Sequence, residues 1–329
     1  MGQALLIKER EEMSFSAEVK NELARIDPEK ECCSLAEITG FLRVAGILKL
    51  YGGGRYGVLI DTDNPAIARH YKKLIKSYFK VDPKLQVAKS ENANLSDKKR
   101  YILDIGPEEM SEQILRETGI LFVKQGKDCF SEGIADGIVR TKCCKRAFLR
   151  GAFLGAGTMS DPKKGYHLEI VCKYKDTAND LRRMINTFEK LSAKVTERKG
   201  KYVVYIKTSQ YIRDTLAIME AHSHVLMMDD TMLTKQLKGN AVRLSNCDNA
   251  NTDRALDAAE FQLKAINKIK EEKGLDSLSP KLRAVAELRL KYPEDNLTQL
   301  GERLEPPLKK SGMSGRMEKI IGISGLSKK

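Results

Sequence analysis

The sequence predicts an α+β body written twice, its halves related by a pseudo-two-fold axis, followed by an all-α C-terminal domain. Three observations lead there. Cys32, Cys33, Gly40, Ala45 and Gly46 recur as Cys143, Cys144, Gly151, Ala156 and Gly157, every one displaced by 111 residues. Each copy is followed by the same order of alternating and helical segments. Over 253–272 and beyond, apolar residues recur at helical spacing, punctuated by Gly274, Pro280 and Pro293.

Taken in order, an extension and a helix occupy 1–31, and the first repeat, 32–125, opens on CCSLAEITGFLRVAG at 32–46. Glycine inside a helix costs ~1 kcal/mol relative to alanine, so Gly40, with Gly151 and Gly155 in the second copy, implies two helices whose backbones touch. The alternating run YGVLID at 56–61 predicts a strand and PAIARHYKKLIKSYF at 65–79 a helix. LQVAK at 85–89 and RYILDI at 100–105 predict two more strands, and EEMSEQILRE at 108–117 a closing helix. A charged loop is expected near 124–142, with 126–142 linking the repeats. The second repeat, 143–227, follows suit: CCKRAFLRGAFLGAG at 143–157, a strand at 166–172, a helix at 177–191, strands at 193–198 and 201–206, and a helix at 209–219. A connecting segment, 228–274, carries a helix over 253–272 with Leu256, Ala259, Leu263 and Ile266 on one face.

Composition narrows the partners. The chain has 329 residues and a formal charge of +13, which favours an anionic partner such as nucleic acid over an acidic small substrate. Its apolar runs fall short of the ~20 residues that span a bilayer, and no signal-like stretch follows the charged start, so a cytoplasmic protein without a membrane partner is expected, with a ribosome or membrane surface as the alternative for its charge. Seven cysteines, an odd number with two vicinal pairs, fit a reducing compartment better than a disulfide framework.

Within the C-terminal domain, 275–329, residues 279–329 hold eleven Lys plus Arg against six Asp plus Glu. Pro280 starts a helix with Leu282, Val285, Ala286 and Leu290 on its apolar face; a second helix is expected at 297–304, and EPPLKKSG at 305–312 is expected to be non-helical. A third helix at 312–321 turns Met313, Met317 and Ile320 inward and leaves Ser314, Arg316 and Lys319 outside. Three short helices, the last one basic, describe a helix-turn-helix whose final helix enters the major groove. Lys309, Lys310, Arg316 and Lys319 are the candidate phosphate or base contacts, with Ser311 and Ser314 as hydrogen-bond donors; a solvated charge without a partner is the alternative for each.

The cores ITGFLRVAG (38–46) and LRGAFLGAG (149–157) resemble the paired LAGLIDADG motifs of single-chain homing endonucleases. In that family an acid at the eighth motif position of each helix holds divalent metal over the scissile phosphates. Here those positions are Ala45 and Ala156, and the sixth positions are Arg43 and Leu154. A methyl group cannot ligate Mg²⁺. Asp161 lies just beyond the second motif, but Leu50 occupies the matching place in the first. A LAGLIDADG-like pair joined to a helix-turn-helix is similar to the WhiA family of bacterial regulators, as are FSAEVKNELARI (15–26), RAFLRGAFLGAGTMSDPKKGYHLEI (146–170) and VRLSNCDNANTDRALDAAEFQ (242–262). The resemblance runs from about Met13 onward, which marks Met13 as the expected native start. It implies a non-enzymatic, sequence-specific regulator of transcription bound to double-stranded DNA in the nucleoid, linked to sporulation or to cell division and chromosome segregation. Two other functions are kept: a scaffold whose body binds RNA polymerase, a sigma factor or another regulator, and, least favoured, an active endonuclease.

The remaining residues are weighed against packing roles. Cys32, Cys33, Cys143 and Cys144 can form a tetrahedral zinc site if the pseudo-two-fold axis brings them together, but vicinal cysteines make poorer ligand pairs than CxxC, so small buried residues are the leading reading and no metal or cofactor is expected. His222 and His224 are read as surface residues. NCDNAN at 246–251 is read as capping the connecting helix, with Asn251 or Thr252 as N-cap, direct DNA contact being the alternative. For Arg43 and Arg150 an internal or solvated role leads over phosphate contact.

Overall fold

The computed structural model describes residues 13–89 and 99–327; the expectation about Met1–Glu12 lies outside the described residues. The chain divides into two compact units, 1–234 and 235–329. In the first, α1 (Phe15–Leu23), whose start is capped by the Ser14 hydroxyl, precedes α2 (Glu31–Ala45), which carries the first glycine motif. Next come β1 (Ile47–Gly52), β2 (Arg55–Thr62), α3 (Pro65–Phe79), β3 (Lys84–Lys89), β4 (Lys99–Ile105) and α4 (Ser111–Glu117). Asn64 caps α3, accepting from the Ala66 N–H at 2.8 Å, and Pro65 supplies the preset first turn. A hairpin, β5 (Leu121–Lys124) and β6 (Lys127–Phe130), ends this half.

The second half repeats the plan: α5 (Lys142–Ala156), β7 (Gly157–Met159), β8 (Leu168–Cys172), α6 (Lys175–Ile185), β9 (Lys194–Arg198), β10 (Lys201–Ile206) and α7 (Ser209–Met219). Both four-stranded sheets are antiparallel with the same strand order, β1-β2-β4-β3 and β7-β8-β10-β9. Val58 aligned with Ile105 and Ile60 with Leu103 in one sheet, and Ile170 with Val204 and Leu168 with Ile206 in the other, bury their side chains under the paired α2 and α5 with Ile38, Phe41, Phe148 and Phe153.

The expected order of elements stands, with local corrections. Strands β1 and β7 were not expected: ILKLYG is exposed along most of its length, so it lacks a one-sided alternation, and β7 is only three residues long. The region read as a charged loop begins with the β5–β6 hairpin, turned at Gln125 and Gly126, both at positive φ. Helix α6 stops at Ile185, short of 191.

The largest correction concerns the connecting helix. It does not begin near residue 252: α8 runs continuously over His222–Glu272, with NCDNAN in its interior. Polar residues that usually favour caps bond back within the helix instead, Thr252 Oγ1 donating to the Asp248 carbonyl at 2.9 Å, so neither Asn251 nor Thr252 is an N-cap. In the second unit, α9 (Pro280–Lys291), α10 (Leu297–Glu302) and α11 (Lys310–Ser324) close on Ile266 and Ile269 of α8, with Val285, Ala286, Leu300, Met313, Met317 and Ile320 buried at the centre. Helix α10 ends before residue 304, and α11 starts two residues before 312, so the last part of EPPLKKSG is helical.

Candidate nucleic-acid interface

At the centre of the body, α2 and α5 approach until their backbones touch. A Cβ on Gly40 would overlap the Phe148 carbonyl, one on Gly151 the Glu37 carbonyl, and one on Gly155 would lie 2.7 Å from Val44 Cγ2 and 3.1 Å from Ala45 Cβ. Ala45 and Ala156 are the last residues of the two helices, and both are half-buried.

The two arginines near the motifs are internal. Arg150 is 3% exposed, and its Nε and Nη2 donate to Glu37 Oε2 at 2.9 and 2.8 Å while Nη1 donates to Glu220 Oε2 at 2.7 Å. Burial opposes its charge, but Glu37 and then Glu220 outweigh burial and raise its pKa above the usual arginine value. His70 Nε2 completes the cluster at 2.7 Å from Glu37 Oε1. Arg43 donates to the carbonyls of Gly119, at 2.7 Å, and Ser131, and burial pushes its pKa down to about 10. Sequence reading missed Glu37, whose burial inside an apolar helix face has no sequence signal.

His224 is not a surface residue: it is 7% exposed and bonded through Nδ1 to Glu22, whose carboxylate also accepts the Ser223 N–H at 2.7 Å at the start of α8. His222 is exposed. The two cysteine pairs, at the N-terminal ends of α2 and α5, converge, all four Sγ atoms lying within 4.8 Å of one another. Cys33 and Cys144 are buried, whereas Cys32 is exposed and Cys143 half-exposed, which a purely packing role does not require.

The C-terminal domain presents a different surface. Asn296 and Gln299 form a reciprocal capping box at the start of α10, a pattern legible as N-x-x-Q. The chain between α10 and α11 folds back so that the Leu308 N–H donates to the Gly301 carbonyl at 2.9 Å; a Cβ on Gly301 would overlap the Leu308 carbonyl. Lys309 is the N-cap residue of α11, and Lys310 and Ser311 lie in its first turn. Lys309, Lys310, Ser311 and Lys319 are exposed, and Ser314 and Arg316 half-buried. Ser314 donates to Glu318 Oε1 at 3.2 Å, so this hydroxyl already has a partner and an acid shares the basic helix.

Other arginines of the domain have partners within it, Arg283 and Arg303 at exposed positions. Arg283 pairs with Asp276 and Glu287; Arg303 pairs with Asp295 at 2.7 Å and lies 4.0 Å from the Tyr292 ring centroid; Arg289 is 2% exposed and donates to the Pro293 and Asp295 carbonyls. Among the described residues no ion pair involves Lys309, Lys310, Arg316 or Lys319. Sequence reading also missed Gly315 and Gly322. They lie opposite Met313, Met317 and Ile320, and an added Cβ at either would meet open space. Their seven-residue spacing, two helical turns, was the available signal.

This architecture is a duplicated body of two LAGLIDADG-like domains followed by a helical HTH domain, and comparison with known proteins agrees along the chain. Residues 31–121 match the model of the WhiA N-terminal LAGLIDADG-like domain, 145–238 that of the WhiA LAGLIDADG-like domain, and 241–324 that of the WhiA C-terminal HTH domain. The probable cell division protein WhiA of Alkaliphilus metalliredigens is 40% identical over 314 residues, covering 95% of this chain and 98% of that one. Its counterpart in Clostridium perfringens is 42% identical over 313 residues, covering 95% and 98%. The crystal structure of full-length DUF199/WhiA from Thermatoga maritima superposes with a TM-score of 0.57 at 25% identity, covering 95% of this chain and 98% of that one. The chain belongs to the WhiA family.

Proposed function

We propose that the chain is a non-enzymatic, sequence-specific DNA-binding regulator of transcription, with α11 as the helix that enters the major groove. The supporting observation is the contrast within its own domain: Arg283, Arg289 and Arg303 have partners within the domain, while Lys309, Lys310, Arg316 and Lys319 of α11 have no ion pair among the described residues and Gly315 and Gly322 leave one face of the helix open. Lysines at the start of α11 suit phosphate, and Ser311 and Lys319 suit base edges or phosphate. Ala45 and Ala156 support the non-enzymatic reading, because neither offers oxygen to a metal ion. Relatives named as probable cell division proteins support a role in cell division; chromosome segregation or sporulation, and a place in the cytoplasm at the nucleoid, complete the reading. Among the described residues no helix is long and apolar enough to cross a membrane.

A scaffold role is the second reading. In the first unit Leu226 and Leu233 of α8 are 67% and 56% exposed, seven residues apart, and in the second Leu237 and Leu244 are 60% and 66% exposed at the same spacing, a pattern in each suited to a helical partner on RNA polymerase, a sigma factor or another regulator.

The test incubates the full chain and its Lys309→Ala/Lys310→Ala/Lys319→Ala variant with fragmented genomic DNA and Mg²⁺ over a salt series. Enrichment of a common motif without cuts is expected, and the variant should lose it. The salt slope should fall by ~0.9 for each phosphate contact removed. Equal enrichment by both proteins would remove α11 from the reading role, and cut fragments would overturn the non-enzymatic assignment. Retention of a polymerase or sigma subunit by the variant would bring the scaffold forward.

A further inference from the structure

We propose that Cys32, Cys33, Cys143 and Cys144 form a site for one thiophilic metal ion, Zn²⁺ in the first instance, shared equally between the two repeats. The body's packing and the DNA-reading helix leave these thiols unexplained. Two lie in the first turn of α2 and two in the first turn of α5, and the close approach of those helices at Gly40 and Gly151 brings the pairs face to face.

The geometry suits a tetrahedron. Every sulfur lies within 4.8 Å of the other three, and a Zn–S length of ~2.3 Å sets tetrahedral sulfurs ~3.8 Å apart, so small side-chain rotations close the set. Disulfides would instead require the sulfurs to close to ~2.05 Å in one or two pairs. All seven cysteines of the chain are free. Four sulfur ligands select zinc or a similarly soft ion over Mg²⁺ or Ca²⁺.

Two features of the surroundings favour thiolates, against the burial of Cys33 and Cys144, which pushes those two thiols up. The first backbone N–H groups of each helix lack intrahelical partners and carry the positive end of the helix dipole. Thr141 Oγ1 lies 3.1 Å from Cys143 Sγ. Four thiolates on a divalent ion leave two excess negative charges, and Lys30, Lys142 and Arg146 flank the cysteines in sequence to offset them against the one acid beside them, Glu31. Lys30, Cys33, Cys143 and Arg146 also line a cleft of about 720 Å³, which together with the exposed Cys32 gives an ion a route from solvent. On binding, each thiol gives its proton to water and its sulfur a bond to the metal, with no change in oxidation state. The product is a clamp across the repeat boundary with two ligands on each side.

The full chain, reduced and stripped with chelator, would be titrated with Co²⁺ as an optical probe and then with Zn²⁺. One equivalent of Co²⁺ should develop the charge-transfer and d–d bands of tetrahedral thiolate, and Zn²⁺ should displace it one for one. Changes outside a metal's own ligands already cost ~10–100-fold in affinity, so Cys33→Ser/Cys144→Ser should weaken binding by more than that. Cys32→Ser, at an exposed position, keeps the test open if the buried double variant fails to fold by circular dichroism. Folded wild-type protein with four reactive thiols that takes up no Co²⁺, uptake unchanged in Cys32→Ser and in a folded double variant, or a protein that forms a disulfide between the helices and refuses metal even after reduction would each overturn the site.

Discussion

Gly40 and Gly151 in the body and Gly315 and Gly322 in the C-terminal domain all interrupt helices, yet they face opposite surroundings. The first pair has no room for a methyl group because another backbone is there; the second pair faces open space. Basic residues divide the same way. Arg43 and Arg150 are buried, Arg43 bonded through both Nη atoms to carbonyls and Arg150 to carboxylates, whereas the cations along α11 have no ion-pair partner among the described residues. A helix glycine that costs ~1 kcal/mol needs a reason. In the body the reason lies inside the protein; in α11 nothing inside it supplies one, which directs attention to a partner.

The strongest way to break this comparison is at Arg150. Arg150→Met leaves the fully buried Glu37 carboxylate with only His70, and loss of one partner from a buried pair costs about 3–5 kcal/mol. Denaturant unfolding should show that loss, and Glu37→Leu combined with Arg150→Met should recover most of it. A loss no larger than that of an exposed pair, ~1 kcal/mol or less, would mean that water reaches the cluster and that the body is not a closed interior. Gly151→Ala comes next. Its new methyl would press on the Glu37 carbonyl, and overpacking against backbone should cost about 3 kcal/mol, read as a lower thermal midpoint.

A smaller effect sharpens the contrast by pH. Burial opposes the charge on Glu22, but hydrogen bonds from His224 and the Ser223 N–H outweigh it and hold its pKa below the ordinary carboxylate value. The folded state therefore favours the charged form. Its contribution is complete above the unfolded pKa and is lost as pH falls through the lower, folded one. Glu22→Gln should cost ~1 kcal/mol at neutral pH, as expected for an anion at a helix start. Melts of the two proteins should converge below pH ~4. A gap that persists at lower pH would assign the effect to packing.

These contacts also mark how far the sequence was legible. The duplicated body was readable because its glycines and cysteines recur at one offset and because period-2 and period-3.6 segments follow in the same order. The inward set Met313, Met317 and Ile320 was readable from spacing alone. Glu37–Arg150 and Glu22–His224 were not, since their partners lie 113 and 202 residues apart and each carries an ordinary surface residue type. NCDNAN was read as a break because its residues favour caps; within α8 the side chains bond to their own helix, and the 51-residue helix overrides local preference. Convergence of the four cysteines depended on how closely the two motif helices pack, which the glycines hinted at but did not measure.

The smallest structural change tests the comparison most directly. Gly315→Ala puts on the outer face of α11 the same methyl group that Gly151→Ala forces between two backbones. Nothing in the protein meets it, so the domain should hold its stability or gain up to ~1 kcal/mol from the better helix former. Enrichment of the target motif should nonetheless fall, because under the proposed function the methyl occupies the face that the helix turns to the groove. If Gly315→Ala and Gly322→Ala both raise the thermal midpoint and leave DNA enrichment intact, the open face is not where DNA is read; the lysines at the N-terminal end of α11 would then make the contact by themselves.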